Sequence, residues 1–437
     1  MQEDKLECMP RAELEKLQVQ RLSDLLQLLQ KKVPFYTETL RRHKINPLLL
    51  RELKDLSELP FTSKSDLRDK YPDGMLAVPK SEIRRYHASS GTRGKPTLVA
   101  YTQNDLDNWA KLGARTLRAA GVRPGDIVHN AYGYGLFTGG LGLHSAIEEY
   151  GAICVPASGG KSQQQITLLK DLGARILCST PSYALQLANT MQEMGLKAND
   201  LSLEIGIFGA EPWTEPMRQR IEQELRIKAL DIYGLSEIMG PGVSIECIQA
   251  RCGLHIWEDH FLVEVIDPKT LKQLPDGEEG ELVITTLQKE AQPLLRYRTG
   301  DLTTLCREEC SCGRTMTRMT RVRARIDDML IIRGVNVYPS EIENILLQVD
   351  ELAPHYQLVL KRDKTLDEMS VQVEITQELC SRWAQIEDDE IKLVELSQKI
   401  KRILKESLGL SVNVELMPAN SIKRSEGKAC RLVDLRN

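Results

Sequence analysis

A short run of hydroxyl, glycine and lysine residues near position 90 has the composition of a phosphate-binding loop. Hydroxyls, backbone amides and an ammonium can wrap phosphate oxygens, and glycines permit positive φ and the close approach of a ligand. The candidate residues are Ser89, Ser90, Gly91, Thr92, Gly94 and Lys95. The run is not a Walker loop, because two residues separate its glycines and no Ser or Thr follows the lysine. By itself the run is equally compatible with a surface turn, and that alternative stays open.

Cysteines are concentrated in one part of the chain: five of the ten lie between residues 247 and 312. Thiolates and imidazoles are the ligands of structural zinc sites, and four such ligands leave no open position for catalysis. The proposed zinc ligands are Cys247, His255, Cys310 and Cys312, and Cys252 or Cys306 could replace one of them. Reduced free thiols are the alternative. The remaining cysteines stand singly, several of them in apolar runs, which is typical of packed and unreactive thiols.

Composition excludes several classes of protein. The chain of 437 residues has room for two or three domains of about 150 residues. Its 58 basic and 62 acidic residues nearly balance, whereas a nucleic-acid surface normally shows a basic excess. No apolar stretch approaches the ~18 residues of a membrane span, and the start of the chain is too polar for a signal peptide. We therefore expect a cytoplasmic protein that binds neither nucleic acid nor membrane.

The pattern of apolar residues predicts an α/β fold. Residues 1–60 have apolar positions at helical spacing. From about 97 to 285, short apolar runs alternate with amphipathic helices, which is typical of βαβ units and parallel sheet. Residues 260–306 read instead as a small antiparallel sub-barrel, with turns at Asp276-Gly277 and Glu279-Gly280.

We place a domain boundary near Asp327, where a basic stretch ends in two aspartates. This gives a large N-terminal domain over residues 1–326, which includes the helical lead-in, and a small α+β C-terminal domain over residues 327–437. In the small domain the pattern predicts strands at 329–337, 356–361 and 370–375, and helices at 339–349 and 387–408.

Four segments resemble the signature motifs of the adenylate-forming superfamily, which contains acyl-CoA synthetases, luciferases and peptide-synthetase adenylation domains. They are the run at 89–95, Asp231–Glu237, Tyr297–Asp301 and Ser425–Lys428. Each motif is weak alone, but four in the family's order, over residues 60–437, are a specific signal. Longer stretches resemble the phenylacetate–CoA ligase family within that superfamily: Tyr233–Gly242, Gly253–Asp259, Asp327–Pro339 and Lys423–Lys428.

The resemblance implies a nucleotide site. Glu237 and Thr92 would hold the Mg²⁺ of ATP, since a hard cation prefers oxygen ligands. Asp301 would accept hydrogen bonds from the ribose hydroxyls. The other implied ATP- and AMP-binding residues, beside the run at 89–95, are Ala210, Glu211, Pro212, Asp231, Tyr233, Gly234 and Arg325. A surface glutamate and a turn aspartate are the alternatives for the two carboxylates.

The resemblance also implies an acyl pocket and a catalytic lysine. The pocket residues would be Tyr132, Tyr134, Phe137 and Gly209, for which a plain core cluster is the alternative. Lys428 would act in catalysis together with Glu237, because its ammonium would neutralise the carboxylate and the α-phosphate as they converge. Arg325 and Asp327 resemble a hinge about which a mobile small domain would rotate between two half-reactions.

The implied reaction is the ATP-dependent ligation of an aryl-acetic acid, with phenylacetate as the expected acid, to coenzyme A through an acyl-adenylate. AMP and pyrophosphate would be the products, Mg²⁺ would accompany ATP, and a homodimer is the expected assembly. Two other functions stay open: transfer of an adenylated aryl acid to a carrier protein, and non-catalytic nucleotide binding on the same fold. Two departures from the family pattern, Arg93 in place of Thr and Ala324 in place of Gly, leave this interpretation unchanged.

Overall fold

The computed structural model describes residues 2–47, 52–89, 96–333, 335–363, 366–383, 389–423 and 431–436. The chain forms two compact units. The first comprises Met1–Ser179, Asn199–Ala210 and Ile227–Val322, and the second comprises Thr180–Ala198, Glu211–Arg226 and Arg323–Asn437. Among the described residues, no helix combines the length and the apolar character needed to cross a membrane.

The first unit carries most of the elements that place the candidate site. Its helices are α1 (Gln2–Glu7), α2 (Arg11–Lys32), α3 (Pro34–Arg42), α4 (Lys64–Asp69), α5 (Gln103–Ala119), α6 (Thr138–Glu149) and α7 (Ser162–Asp171). Its strands are β1 (Arg85–Ser89), β2 (Thr97–Tyr101), β3 (Ile127–Asn130), β4 (Ile153–Val155), β5 (Ile176–Ser179), β6 (Ile205–Gly209), β7 (Lys228–Tyr233), β8 (Ser244–Glu246), β9 (Leu254–Ile256), β10 (Phe261–Ile266), β11 (Gly280–Thr286), β12 (Tyr297–Thr303), β13 (Leu305–Cys306) and β14 (Arg318–Met319).

The core of the first unit surrounds a mixed sheet with the strand order β13-β14-β9-β8-β7-β6-β5-β3-β4. Strands β4, β3, β5, β6 and β7 run parallel, which confirms the βαβ alternation expected from the sequence. Beyond β7 the strands β8, β9, β14 and β13 pair antiparallel. The sequence pattern does not predict this extension, because strands of two or three residues are too short to show a hydrophobic period.

Strands β10, β11 and β12 form an antiparallel sheet in the same unit, which confirms the strand type expected for residues 260–306. One of the two predicted turns is wrong, because Gly280 is the first residue of β11. A Cβ atom at Gly280 would lie 2.4 Å from the carbonyl oxygen of Ile266. Glycine is therefore required at this position for the close approach of two strands rather than for a turn. Gly277, in the other predicted turn, has φ +84°.

The helices of the second unit are α8 (Pro181–Glu193), α9 (Glu215–Leu225), α10 (Pro339–Leu346), α11 (Gln377–Trp383) and α12 (Asp389–Leu408). Its strands are β15 (Ala324–Arg325), β16 (Leu330–Ile332), β17 (Val335–Val337), β18 (Leu352–Asp363), β19 (Leu366–Ile375), β20 (Asn413–Met417) and β21 (Leu432–Asp434). The strand order β20-β19-β18-β21 has an antiparallel centre and parallel outer pairs, and apolar residues such as Leu358, Val371 and Ile400 form its core. Among the described residues, short 3₁₀ helices lie at Leu53–Glu58, Lys80–Glu82, Ala198–Asp200 and Ile326–Asp328.

The single strand predicted over residues 329–337 is wrong, because the structure has a hairpin there. Strands β16 and β17 pair antiparallel, with Leu330 opposite Val337 and Ile332 opposite Val335. Arg333 has φ +51°, the left-handed conformation that reverses the chain in short hairpins. The apolar residues on either side of Arg333 show no period that distinguishes one long strand from two short ones. Helix α10 ends at Leu346, before the predicted end at 349.

Buried charge connects the start of β12 to the segment that precedes α4. The Arg296 guanidinium donates to both carboxylate oxygens of Glu264, at 2.8 and 2.9 Å, and both side chains are almost fully buried. The same guanidinium donates to the carbonyl oxygens of Ser57 and Leu59 at 3.0 and 2.6 Å. It also stacks 3.9 Å from the centre of the Phe61 ring. Arg296 therefore fixes the backbone immediately before the Tyr297–Asp301 motif.

We expect Arg296→Met to lower the free energy of unfolding by about 3–5 kcal/mol, because it leaves the Glu264 carboxylate buried without its partner. Urea unfolding monitored by circular dichroism measures this change. The control is Arg42→Met, which breaks an exposed ion pair with Glu38 and should cost less than about 1 kcal/mol. Similar losses in the two variants would contradict the structural role of the buried pair.

Candidate active site

Glu237 lies in the loop that follows β7, and the structure brings the first residue of the phosphate-loop candidate to it. The Glu237 carboxylate is buried, and it accepts a hydrogen bond from the Ser89 hydroxyl at 2.9 Å. Ser89 is the last residue of β1. Residues Ser90–Lys95, which include Thr92, lie outside the described residues. The contact therefore joins the beginning of one sequence motif to the end of another.

Tyr233 and Asp301 connect two further motifs. Tyr233 ends β7 and Asp301 lies within β12, and the Tyr233 hydroxyl donates to Asp301 Oδ2 at 2.7 Å. Asp231, on the same strand as Tyr233, forms an ion pair with the Arg321 guanidinium, with Nε 3.3 Å from Oδ2. Its backbone N–H donates to the buried carboxylate of Glu246 at 2.8 Å. The sequence analysis did not identify Arg321 or Glu246, neither of which lies in the four short motifs.

The backbone around Asp301 is held by Glu281 on the neighbouring strand β11. One Glu281 carboxylate oxygen accepts from the Arg298 guanidinium at 3.0 Å, and the other accepts from the backbone N–H of Gly300 at 3.1 Å. The Thr299 hydroxyl accepts from the backbone N–H of Asp301 at 3.0 Å. Gly300 has φ +76°, which a side chain would strain. These bonds fix the direction in which the Asp301 carboxylate projects.

Glycines at the ends of β6 and β7 allow two close approaches of backbone. A Cβ atom at Gly209 would lie 2.1 Å from the carbonyl oxygen of Ile232, and one at Gly234 would lie 2.7 Å from the Cα of Gly240. Ala210 follows with φ +71°, a conformation that few non-glycine residues adopt. Such strained positions persist where the surrounding structure determines them, as at binding sites. The edge where β6 and β7 end is therefore shaped by backbone rather than by side chains.

The aromatic residues assigned to the acyl pocket are organised by Asn130, at the end of β3. The buried Asn130 amide donates to the Tyr134 hydroxyl and to the carbonyl oxygen of Gly140, both at 2.9 Å. Its side-chain oxygen accepts from the backbone N–H of Tyr132 at 3.3 Å. The Tyr134 hydroxyl also lies 3.2 Å from His144 Nδ1, and burial raises the pKa of Tyr134 well above its usual range.

The remaining aromatic candidate is half-buried, and glycines in α6 make room for the cluster. Phe137 directly precedes α6, and Tyr132, five residues earlier, is buried. A Cβ atom at Gly140 would lie 2.6 Å from the Gly133 carbonyl oxygen and 2.8 Å from the Tyr134 ring. The Tyr132–Phe137 segment therefore lies directly against α6.

Several candidate residues belong to the second unit. Glu211 accepts the backbone N–H of Ser182 at 2.8 Å, and Pro212 follows it. Arg325 lies on β15 and is half-buried, whereas Asp327 is exposed in a 3₁₀ turn. Lys428 lies outside the described residues.

The first described residue after the Ser425–Lys428 motif is a half-buried arginine. The Arg431 guanidinium contacts the Glu343 carboxylate on α10 and donates to the Tyr356 hydroxyl on β18 at 3.0 Å. The guanidinium also lies 4.8 Å from the centre of the Tyr356 ring. Arg431 therefore anchors the chain at the start of β21.

Lys289 is a site residue that sequence reasoning missed. Its ammonium is buried and donates to the carbonyl oxygens of Glu237 and Ile238, at 3.0 Å from each. Burial lowers the pKa of Lys289 to about 8, although the carboxylates of Asp105 and Glu237 oppose the shift. Lys289 lies in no recognised motif, and its partners are main-chain carbonyls some fifty positions earlier in the chain, so no pattern of residue types reveals it.

Three thiols and one imidazole form a compact cluster at the antiparallel end of the mixed sheet. The ligand atoms of Cys247, His255, Cys310 and Cys312 all lie within 4.8 Å of one another. Cys247 Sγ is 3.8 Å from Cys310 Sγ, and Cys312 Sγ is 3.5 Å from His255 Nε2. Burial, together with the positive charges of Arg314 and Arg318, lowers the pKa of His255 to about 4, so its ring is neutral at neutral pH.

The other two cysteines of this stretch have a different partner. Arg318 donates to Cys252 Sγ at 2.8 Å and to Cys306 Sγ at 3.6 Å. Neither thiol belongs to the compact cluster, whose members among the described residues are the four named above. The structure therefore separates four thiol and imidazole groups with metal-ligand spacing from two thiols that pack against a guanidinium.

Comparison with known proteins agrees with this geometry. A family model of AMP-binding enzymes matches residues 48–288, and a model of the AMP-binding enzyme C-terminal domain matches residues 334–436. The chain is 50% identical to a phenylacetate-coenzyme A ligase of Thermus thermophilus, with 100% of each chain covered. It is 48% identical to the phenylacetate-coenzyme A ligase of Escherichia coli, with 99% of this chain and 98% of that protein covered.

Solved structures give the same result. A crystal structure of 2-hydroxyisobutyryl-CoA ligase with 2-HIB-AMP, in its postadenylation state, has a TM-score of 0.92 and 30% sequence identity, and the match covers 99% of this chain and 92% of that one. The chain belongs to the AMP-binding enzyme family and, within it, to the phenylacetate-coenzyme A ligases. It is thus an adenylate-forming ligase with an α/β AMP-binding domain followed by a smaller C-terminal domain.

We expect Asn130→Leu to destabilise the protein by about 1–3 kcal/mol, because it removes the hydrogen bonds of the buried Asn130 amide to Tyr134, Gly140 and Tyr132. Chemical unfolding measures the loss. The same substitution at Asn104, an exposed residue that donates to Glu290, should change stability by about 0.5 kcal/mol or less. If both variants were equally stable, Asn130 would not organise the aromatic segment.

Proposed function

We propose that this chain ligates an aryl-acetic acid, with phenylacetate as the first candidate, to coenzyme A through an acyl-adenylate. The observation that carries the proposal is the near 50% identity, over the whole chain, to relatives named phenylacetate-coenzyme A ligases. The contacts between Glu237 and Ser89 and between Tyr233 and Asp301 agree with it, because they join motifs that the superfamily uses for ATP. A non-catalytic role is not favoured.

In this proposal the carboxylates of the first unit bind the nucleotide. Glu237, with Thr92, would hold the Mg²⁺ of ATP, and the fit is chemically suitable because a buried carboxylate offers the hard oxygen ligand that Mg²⁺ prefers. When bound, Mg²⁺ neutralises negative charge on the phosphates. Asp301, fixed by Glu281 and Thr299, would accept the ribose hydroxyls. Ala210, Glu211, Pro212, Asp231, Tyr233, Gly234 and Arg325 complete the proposed nucleotide site, with Ser89, Ser90, Gly91, Gly94 and Lys95 at the phosphates.

The proposed reaction has two steps. An oxygen of the acid's carboxylate attacks the α-phosphorus of ATP, and pyrophosphate leaves with the electrons of the broken P–O bond. The thiol of coenzyme A then attacks the acyl carbon, loses its proton, and displaces AMP. Tyr132, Tyr134, Phe137 and Gly209 would line the pocket that orients the acid, which makes the first attack nearly unimolecular.

In this proposal Lys428 acts in the first step, and the hinge allows the second. The Lys428 ammonium would neutralise the two anions that converge in the first step. Rotation of the C-terminal domain, residues 327–437 after a hinge at Arg325 and Asp327, would then admit coenzyme A. Solved structures of 2-hydroxyisobutyryl-CoA ligase in a postadenylation state and in a thioesterification state support a two-state cycle in this family.

The test follows both half-reactions. Purified enzyme should catalyse ATP–pyrophosphate exchange that depends on phenylacetate, and should form a thioester with free coenzyme A rather than require a carrier protein. Lys428→Ala should slow adenylate formation by about a hundredfold or more, because it removes charge neutralisation in that transition state. Preformed phenylacetyl-adenylate with coenzyme A should restore thioester formation in the variant.

Lys423→Ala is the matched control, since it removes an exposed lysine from the same motif and should leave both half-reactions near normal. Asp327→Pro should give the reverse of Lys428→Ala, with adenylation retained and thioester formation impaired, because proline fixes φ at the hinge. Equal loss of both half-reactions in Lys428→Ala would assign the lysine a structural role. If neither aryl nor alkyl acids supported any ATP–pyrophosphate exchange, the proposed function itself would be contradicted.

We also propose that Cys247, His255, Cys310 and Cys312 bind a structural zinc ion. A tetrahedral ion with Zn–S of about 2.3 Å and Zn–N of about 2.0 Å has S···S edges of about 3.8 Å and S···N edges of about 3.5 Å. The Cys247–Cys310 distance of 3.8 Å and the Cys312–His255 distance of 3.5 Å match both edges. The neutral His255 ring is in the state that metal binding requires.

Elemental analysis of protein purified without added metal should give about one zinc per chain, from the four-ligand count. Cys310→Ser should lose that zinc and lower the melting temperature. The loss in free energy of unfolding should be smaller than the ~10 kcal/mol that zinc supplies to small domains, since a large core exists independently. Cys252→Ser is the control and should keep the metal, because Cys252 packs against Arg318. Metal-free protein with an unchanged melting temperature would exclude the zinc site.

Two further expectations remain proposals. Resemblance to the family supports a homodimer and a cytoplasmic location.

A further inference from the structure

Lys289 is a buried lysine whose ammonium faces the main chain of the Glu237 loop. Only 3% of its surface is exposed. Its Nζ lies 3.0 Å from the carbonyl oxygens of Glu237 and Ile238 and 4.6 Å from the centre of the Tyr101 ring. Burying an ammonium is costly unless oxygen atoms or an aromatic face replace its water shell. The two carbonyls and the ring provide that replacement, so the loop is bound to the charge.

Asp105, in the first turn of α5, fixes the segment that carries Lys289. Its fully buried carboxylate accepts the backbone N–H groups of Glu290 at 2.7 Å and Ala291 at 2.9 Å. It also accepts the backbone N–H of Thr102 at 3.0 Å, in the capping box that begins α5. These bonds do not involve Glu237. Lys289 is therefore held independently of the loop, and it can determine where the loop lies.

Tyr101 binds the same loop one residue earlier. Its hydroxyl donates to the carbonyl oxygen of Ser236 at 3.0 Å. Three consecutive carbonyls, those of Ser236, Glu237 and Ile238, are thus bound by two side chains, Tyr101 and Lys289. The Glu237 carboxylate consequently projects from a backbone that is fixed on three successive peptide units.

We propose that Lys289 is a positioning residue for Glu237: it holds the Glu237 main chain so that the carboxylate stays where it would bind the Mg²⁺ of ATP. The inference rests on the role proposed above for Glu237, and it adds a residue that lies in none of the family motifs. Lys289 acts through the loop and does not touch the acid. Its loss should therefore weaken metal-dependent nucleotide binding and leave recognition of the acid unchanged.

Lys289→Met tests the inference, because methionine keeps an unbranched side chain and lacks the ammonium. In the free enzyme, hydrogen exchange of the backbone amides of residues 236–239 should accelerate by about tenfold, while the amides of β10 and β11 keep their rates. Mn²⁺ binding in the presence of ATP, followed by electron paramagnetic resonance, should weaken by about tenfold, as for other groups that support a metal ligand. The Mg²⁺ concentration that half-saturates ATP–pyrophosphate exchange should rise in parallel, with the KM for phenylacetate unchanged.

Three further variants separate positioning from general destabilisation. Leu287→Ala removes buried apolar contact from the same segment, so it should lower the melting temperature and leave Mn²⁺ binding unchanged. Lys289→Arg keeps a charged donor and should restore most of the metal affinity. Tyr101→Phe removes only the bond to Ser236, and it should shift hydrogen exchange and Mn²⁺ binding in the same direction as Lys289→Met, by a smaller factor.

Unchanged hydrogen exchange and Mn²⁺ binding in Lys289→Met would overturn the inference. So would an equal loss of Mn²⁺ affinity in Leu287→Ala. Should Lys289→Met fail to fold, Tyr101→Phe decides the question, and wild-type behaviour of that variant would overturn the inference. Glu237→Gln tests the underlying role separately. If this variant binds Mn²⁺ as the wild type does, the role proposed for Glu237 is wrong. If Glu237→Gln loses Mn²⁺ affinity and Lys289→Met does not, only the role of Lys289 is rejected.

Discussion

Glu264 and Arg296 are both almost fully buried, and removing either one from its partner would leave a charge in a place that water cannot reach. Because the Arg296 guanidinium also binds the carbonyl oxygens of Ser57 and Leu59, the pair fixes the chain both at the start of β12 and in the segment that precedes α4. The Tyr297–Asp301 motif begins at the next residue. The position of the Asp301 carboxylate thus depends on charge that is buried away from the site.

The same rule applies to Asp301 and Glu237, each of which lies at the end of a series of hydrogen bonds. Glu281 holds the backbone of Asp301 through Gly300 and is itself bound by Arg298. Lys289 holds the main chain of Glu237, and Asp105 holds the segment that carries Lys289. A carboxylate that must accept hydrogen bonds from a ligand cannot spend all its lone pairs on the protein. Binding its main chain instead leaves the side-chain oxygens available.

The sequence predicts the parts of this structure that depend on local pattern. The parallel strands β3, β4, β5 and β6 are apolar runs separated by helices, so their type could be recognised without coordinates. The hairpin at β16 and β17 could not, because the apolar residues on either side of its turn show no period that separates two strands. The antiparallel strands β8, β9, β13 and β14 are too short for any period.

Site prediction from sequence has a related limit. Resemblance to known motifs identified Glu237, Tyr233 and Asp301 as candidates, and the structure brings the segments of these motifs into contact. The roles of these residues, like that of Lys428, stay predictions. Lys289 has no such signal, because its partners are carbonyl oxygens that every residue possesses. Likewise, nothing in the cysteine spacing separates Cys252 from the proposed zinc ligands. Its exclusion follows from the position of Arg318, which only the folded chain shows.

The cysteine and histidine cluster lies among the shortest strands of the mixed sheet. Strands β13 and β14 have two residues each, fewer than a ladder normally needs to persist. Cys247 directly follows β8, His255 lies on β9, and the other two cysteines lie in the loop that joins β13 to β14. One ion bound to all four would thus fasten every antiparallel strand beyond β7 to its neighbours. Arg314, which follows the last cysteine, binds the buried carboxylate of Glu7, so the same constraint extends to helix α1. A metal bound there would therefore add a constraint even in a protein with a large core, because strands of two or three residues form only short hydrogen-bonded ladders.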